Sequence, residues 1–175
     1  MALSWNEIKD RALKFSNEWA NESKERAEKD SFWNDFFNVF GISRRRVATF
    51  EEPVKKLSGN QGFIDLFWKG TLLVEHKSKG KNLDKAYQQA TDYFPGLKEH
   101  ELPKYILVSD FDKIKLFNLD EGTEHQFHVS ELYKNVKLFG FIAGYQKRTF
   151  KEEDPVNIKA AELMGKLYDQ LETFG

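Results

Sequence analysis

The stretch Gly62-Phe63-Ile64-Asp65-Leu66-Phe67-Trp68-Lys69-Gly70-Thr71-Leu72-Leu73-Val74-Glu75-His76-Lys77 decides how the rest of the chain is read. Two runs rich in branched and aromatic residues flank Lys69-Gly70, which predicts a β-hairpin. Three charges, Asp65, Glu75 and Lys77, lie inside it, and the turn decides whether they meet. A two-residue loop at Lys69-Gly70 sets Asp65 opposite Val74, and the alternation of side chains then points Glu75 and Lys77 away from it. A three-residue loop Trp68-Lys69-Gly70, with Gly70 left-handed in a type I turn and bulge, sets Asp65 opposite Leu73 and brings all three charges to one face. In that register Asp65 and Glu75 are diagonal neighbours, roughly 7 Å apart at the backbone. Ile64, Leu66, Leu72 and Val74 then line the other face. Two carboxylates and a lysine above an apolar underside need compensation, because charges are rarely buried unpaired, and a divalent cation supplies it.

Upstream, Ser4 and Glu7 form a capping box, with Leu3 placed to staple onto Ile8. Trp5, Ile8, Ala12, Phe15 and Trp19 follow at helical spacing. The polar run 21–31 reads either as a solvated continuation or as a break. Phe32, Trp33, Phe36, Phe37 and Phe40 then make a denser apolar stripe that Gly41 ends. Among Glu22, Glu25 and Glu28, Glu28 lies one turn before Phe32 and is a candidate auxiliary acid, although a solvated charge run is the stronger reading of all three. Arg44-Arg45-Arg46 is expected to open a short strand ending near Ala48, and Lys55-Lys56 to sit in a turn or short helix after Pro53. Such basic clusters either touch phosphates or are ordinary surface.

After the hairpin, Asn82 caps a helix whose buried face carries Leu83, Ala86, Ala90 and Tyr93, and Pro95-Gly96 ends it. Gln89 shares that face and Gln88 points away. Gln89 is either a polar residue tolerated in a core helix or a group that finds partners beside the hairpin. Lys104–Ser109 and Lys113–Leu119 read as strands joined by Asp110-Phe111-Asp112, the first interior and covered on both faces. Asp110 faces the hairpin's charges or, as turn aspartates usually do, bonds its own backbone. His125 to Val129 reads as an edge strand with surface histidines, since no third ligand has suitable spacing. A short helix at Ser130–Tyr133, an apolar patch from Leu138 to Ile142 and a closing amphipathic helix after Asp154-Pro155 complete the chain. This order implies an α/β architecture, a mixed central β-sheet flanked by helices on both faces, with a plain α+β binding domain as the second reading.

Asp65, nine residues, then Glu75-His76-Lys77 matches the signature of the PD-(D/E)xK nuclease superfamily. The wider sequence resembles the N-terminal endonuclease domain of MmeI-like restriction-modification enzymes, which fuse a nuclease to a DNA methyltransferase and a target-recognition domain. The likeness is carried by the segment from Phe32-Trp33 to Phe40-Gly41, the 62–79 hairpin and Gln88-Gln89-Ala90 with Tyr93. Leu107-Val108-Ser109-Asp110-Phe111 and Ala160-Ala161-Glu162-Leu163-Met164 extend it. The resemblance implies a PD-(D/E)xK restriction-endonuclease-like core over 1–155, with 156–175 the start of a connector to an absent methyltransferase. It also implies a metal-dependent endodeoxyribonuclease acting on double-stranded DNA.

On that basis Asp65, Glu75 and Lys77 are the catalytic candidates. Asp65, Glu75 and the backbone carbonyl of His76 would hold Mg2+, or Mn2+ in its place. Gln89 and Tyr93 match an auxiliary motif of RecB-like nucleases, and Lys79, Lys81, Arg44 and Arg45 are candidate contacts to the DNA backbone. S-adenosylmethionine would enter only through the absent methyltransferase domain. A catalytically silent nuclease fold used for DNA binding or assembly, and a RecB-like or resolvase-type nuclease outside restriction, remain the alternatives.

The net charge of −1 shows no basic excess, so DNA contacts are expected to be few or to rest on other domains. With no cysteine, disulfides and thiolate metal sites are excluded. No leader or membrane span is evident, so a cytoplasmic protein is expected.

Overall fold

The structure is a computed structural model that describes residues 2–21 and 25–144. The helices are α1 (Trp5–Trp19), α2 (Glu25–Val39), α3 (Arg44–Val47), α4 (Leu83–Thr91) and α5 (Gly140–Ala143). Six strands lie side by side in chain order: β1 (Thr49–Lys55), β2 (Gln61–Trp68), β3 (Leu72–His76), β4 (Tyr105–Ser109), β5 (Lys113–Asn118) and β6 (Thr123–His128). All neighbours pair antiparallel except β3 and β4, which run parallel. A parallel pair needs a crossover connection, and residues 77–104, with α4, provide it. The fold is therefore α/β with a mixed sheet and helices on both faces.

Aromatic side chains fix the α1–α2 face. Phe32, Trp33, Phe36, Phe37 and Phe40 are each at most 1% exposed, so the whole stripe is core. Trp19 of α1 packs edge-on against Phe32 and Phe15 packs on it at a tilt, and Phe139 closes the far side against Phe36. The opposite core is smaller, with Leu83, Ala86 and Ala90 of α4 and Tyr93 over Leu73, Ile106 and Val108. On β4, Leu107 joins the first core while Ile106 and Val108 join the second, as an interior strand requires.

The caps follow the sequence in part. Ser4 Oγ accepts the Glu7 N–H, and Asn82 Oδ1 accepts those of Asp84 and Lys85. Glu7 does not make the expected reciprocal bond; its carboxylate accepts from Arg11 instead, a partner one turn on. The expected edge strand with exposed histidines is β6, and Val129–Lys134 is a 3₁₀ turn where a short helix was expected. The closing helix after Pro155 lies outside the described residues, as do Glu22 and the side chain of Glu25.

Two expectations fail around β1. Arg44–Val47 is one helical turn rather than a strand: the Arg44 guanidinium donates to Asn34 Oδ1 and the Ala48 carbonyl and lies 4.0 Å from the centre of the Phe50 ring, which ties the segment to α2. The strand then starts at Thr49 and runs through Pro53 to Lys55. Proline is tolerated there because β1 is an edge strand, where a missing N–H costs no ladder bond.

The central hairpin departs from both registers drawn from the sequence. Its loop is Lys69-Gly70-Thr71, closed by Thr71 N–H donating to the Trp68 carbonyl, with Gly70 left-handed at φ +76°. Trp68 pairs with Leu72 and Leu66 with Val74, so continuing the ladder by one pair sets Asp65 directly opposite Glu75. The ladder stops short of that pair. Beyond Leu66, β2 parts from β3 and continues only with β1, out to Lys55 opposite Gln61.

At this fork the β1–β2 arm also changes sides. Glu51, across from Asp65, takes φ +52°, a left-handed conformation that costs a residue with a Cβ about 1–2 kcal/mol. Phe50 and Leu66 pack with the α1–α2 core, whereas Val54 and Ile64 pack with the α4 core, so Ile64 does not line the same face as Leu66. The segment after α4 clasps the arm: Leu57 N–H donates to the Asp92 carbonyl, and a Cβ on Gly96 would lie 2.1 Å from the Lys55 carbonyl oxygen.

Candidate active site

The fork leaves backbone groups of β3 without strand partners, and side chains take their place. The His76 N–H, at the end of β3, donates to Asp65 Oδ2 at 2.7 Å. Asp65 Oδ1 accepts from Lys29 Nζ of α2 at 3.0 Å, and the same ammonium reaches Glu51 Oε1 at 2.7 Å. Glu75 is 2% exposed, and its Oε1 is buried with no hydrogen-bond partner. Such an orphan acceptor is costly, and it marks the position next to Asp65 as incomplete.

Lys77 follows β3 on the α4 side. Its Nζ donates to Gln89 Oε1, so this lysine does not simply neutralise the acids. Gln89 is half-buried on α4 and Gln88 exposed, as the helical pattern requires. Tyr93 is buried, and its hydroxyl donates to the Phe63 carbonyl at 3.0 Å, tying the end of α4 to the departing β2 arm. Asp65, Glu75, Lys77, Gln89 and Tyr93 thus gather at one end of the sheet.

Burial and then the neighbouring Asp65 charge push the Glu75 carboxyl up to about 8, with Lys77 pulling the other way. Burial also raises Asp65, opposed by the His76 N–H and by Lys29. Burial acts to lower the Lys29 ammonium, but Glu51 and Asp65 outweigh it and hold Lys29 above its ordinary value. Burial and the Asp65 charge thus favour the protonated form of Glu75, while Glu51 and Asp65 favour the charged form of Lys29.

The other candidates fall elsewhere. Glu28 is half-buried on α2, and the α2 residue that reaches the carboxylates is its neighbour Lys29. Arg44 is spent inside the fold, while Arg45, Lys79 and Lys81 are exposed. Asp110 is buried and accepts the N–H groups of Asp112 and Lys113, the local role open to it in a turn, and its other oxygen accepts the Gly80 N–H of the loop after Lys77. The His76 side chain points to the opposite face, where its Nδ1 accepts from Trp33 Nε1 at 3.0 Å. Lys29 and Glu51 are the site residues that sequence reading missed. Lys29 stands three and four residues before Phe32 and Trp33, on the inward stripe itself, and that spacing was the available signal.

The donors fit a hard divalent ion. Two carboxylates meet, one with a free buried oxygen, and no sulfur competes. Among the described residues no three His, Asp or Glu side chains converge as a complete cage. An ion held here would keep solvent or substrate oxygens as its remaining ligands, which suits Mg2+.

Fold and site together define an α/β domain with a carboxylate–lysine centre at a split in its sheet. The chain belongs to the family described as "MmeI, N-terminal domain", whose model matches residues 10–173. It is similar to "DNA methyltransferase A" of Bacillus subtilis (strain 168), 24% identical over 148 residues that cover 83% of this chain and 16% of that protein. Among solved structures it is similar to a chain of the "cryoEM structure DrdV-DNA complex", at 16% identity and a TM-score of 0.49, covering 83% of this chain and 14% of that one. The chain thus spans less than a fifth of the length of either. No helix among the described residues is long and apolar enough to cross a membrane.

Proposed function

We propose that this chain is a PD-(D/E)xK endonuclease domain that hydrolyses phosphodiester bonds of double-stranded DNA with Mg2+ or Mn2+. It would form part of a fused restriction-modification enzyme. The observation that carries the reading is the buried, unpartnered Glu75 Oε1 beside Asp65, with the Lys77 ammonium on the same side of the sheet. Family membership supports the restriction-modification context. Residues 1–155 would be the nuclease and 156–175 the lead into a methyltransferase, which would be the part that uses S-adenosylmethionine.

Asp65, Glu75 and the His76 backbone carbonyl would hold the ion. When bound, it would polarise the phosphate and lower the pKa of a coordinated water. The chain's own groups do the rest. Gln89 fixes the Lys77 ammonium where it can orient the attacking water and balance charge on the phosphate. Tyr93 holds β2 against α4, which keeps Asp65 in place. Lys79 and Lys81, exposed in the loop after Lys77, are placed to meet the DNA backbone.

The test is nicking of supercoiled plasmid by the 175-residue chain, with Mg2+ or Mn2+ and with chelator. Cleavage that needs metal and is lost in Asp65→Ala is the expected result. Equal cleavage by Asp65→Ala rejects the site. Metal binding and DNA binding without cleavage, under every condition, would favour the silent module instead.

A further inference from the structure

Lys29 is held more firmly than a surface lysine. Its Nζ is shared between Glu51 Oε1 at 2.7 Å and Asp65 Oδ1 at 3.0 Å, and its side chain is 18% exposed. α2 delivers it, because Lys29 shares the face of Phe32, Trp33 and Phe36 and the packing of that stripe fixes the direction of approach. Glu51 is placed by a left-handed backbone, and strain of this kind gathers at functional positions. The ammonium bonds only one of the paired acids, and Glu75 Oε1, buried alongside, has no hydrogen-bond partner.

We propose that Lys29 is an internal counter-ion occupying the cation position beside Asp65, and that it withdraws onto Glu51 when a divalent ion enters. Metal uptake at this site is then an exchange of one cation for another. The inference rests on the metal site proposed above. The two carboxylates that share Lys29 differ in the way an exchange requires: Asp65 is 14% exposed, whereas Glu51 is 50% exposed and makes the shorter contact. The ammonium can leave Asp65 without losing its second partner or entering an apolar environment. Lys77 takes no part, being held by Gln89.

The experiment is calorimetric titration of Mn2+ into the whole chain, with and without a duplex oligonucleotide. The proteins compared are wild type, Lys29→Gln, Lys29→Met, Lys29→Arg, Glu51→Gln and the Lys29→Gln/Glu51→Gln double variant. Tryptophan fluorescence establishes that each is folded, and the two neutral replacements of Lys29 back each other up. Removing the competing charge should tighten Mn2+ binding about tenfold. Lys29→Arg, which keeps the charge, should stay within about twofold of wild type. Glu51→Gln should weaken binding several-fold when Lys29 is present and have no effect when it is not, a coupling that a purely structural role would not produce.

Unchanged or weaker binding in the neutral Lys29 variants overturns the proposal, as does tightening in Lys29→Arg. Equal weakening by Glu51→Gln in both backgrounds makes Glu51 a metal ligand and overturns its role as the ammonium's second berth. If wild type and every variant fail to bind Mn2+ with or without DNA, the metal site itself falls and the exchange falls with it. Binding that is the same throughout removes the exchange alone.

Discussion

Glu75 and His76 are adjacent on one strand and present its two faces, and the same feature occurs on both. Each side chain is buried with one polar atom unpartnered, Oε1 on Glu75 and Nε2 on His76. Burial drives both toward neutrality, Glu75 up to about 8 and His76 down to about 3. Their surroundings separate them. His76 lies among the rings of Phe32, Trp33 and Phe111, with the Phe111 ring centre 4.2 Å away. Glu75 lies at the split between β2 and β3, next to a second acid and a lysine. A buried orphan atom becomes a candidate site only where the chain leaves room and assembles opposing charge; enclosed by rings, it belongs to the core.

The comparison breaks most readily on the aromatic side. Trp33→Ala empties a position 1% exposed and strips His76 of its donor, so a loss of about 3–5 kcal/mol is expected in urea unfolding. A loss under 1 kcal/mol would mean that the His76 face is not core. On the other face, Lys77→Ala should leave the unfolding midpoint nearly unchanged and lower the cleavage rate about 10²–10³-fold, comparable to removing one transition-state donor. A large stability loss with little kinetic effect would reverse the two assignments.

Stability against pH sharpens the contrast, because the two groups act with opposite sign. Glu75 has a folded value near 8 against an ordinary 4.5, so the folded chain holds the extra proton and stability falls as pH rises from about 4.5 to 8. His76 has a folded value near 3 against an ordinary 6.5, so the unfolded chain holds the extra proton and stability falls as pH drops from about 6.5 to 3. Their contributions oppose each other between about 4.5 and 6.5, leaving a plateau with a decline on either side of at most about 1.4 kcal/mol per pH unit for each group. Thermal unfolding in chelator should show this, and Glu75→Gln should flatten the alkaline side and, with the opposing contribution gone, extend the acid-side decline up to about pH 6.5. The smallest effect expected is that of Tyr93→Phe, which loses one hydrogen bond to Phe63 and about 1 kcal/mol. If it abolishes cleavage while stability barely moves, Tyr93 belongs to the chemistry and not to the clasp.

The sequence announced what repeats with a period. The stripes of α1, α2 and α4, the doubly covered β4 and the alternation that puts Glu75 and Lys77 opposite His76 all follow from side chains that recur at 3.6 or 2 residues. It did not announce the fork. Both hairpin registers assumed that β2 and β3 pair along their length, so each displaced the partner of Asp65, although the shared face survived in one. The arm beyond the split carries the left-handed Glu51 and is held by the clasp after α4, neither of which has a local signature. Lys29 was obscured by composition: within a run of charges its inward spacing was harder to see than the three acids around it. Arg44 was misplaced because its fit to Asn34 and Phe50 is tertiary, and strand propensity is easily overridden by such contacts.

Gly96 does no chemistry, yet its missing side chain gives it an unusual standing among mutable positions. Any other residue would drive the Lys55 carbonyl outward and take with it the arm that carries Glu51 and Ile64. A saturation library should therefore show intolerance at Gly96 resembling that of a catalytic position, while its exposed neighbour Pro95 accepts many replacements. Such a map would mark a pivot of the molecule, and reading it as a contact with substrate would mistake a hinge pin for a blade.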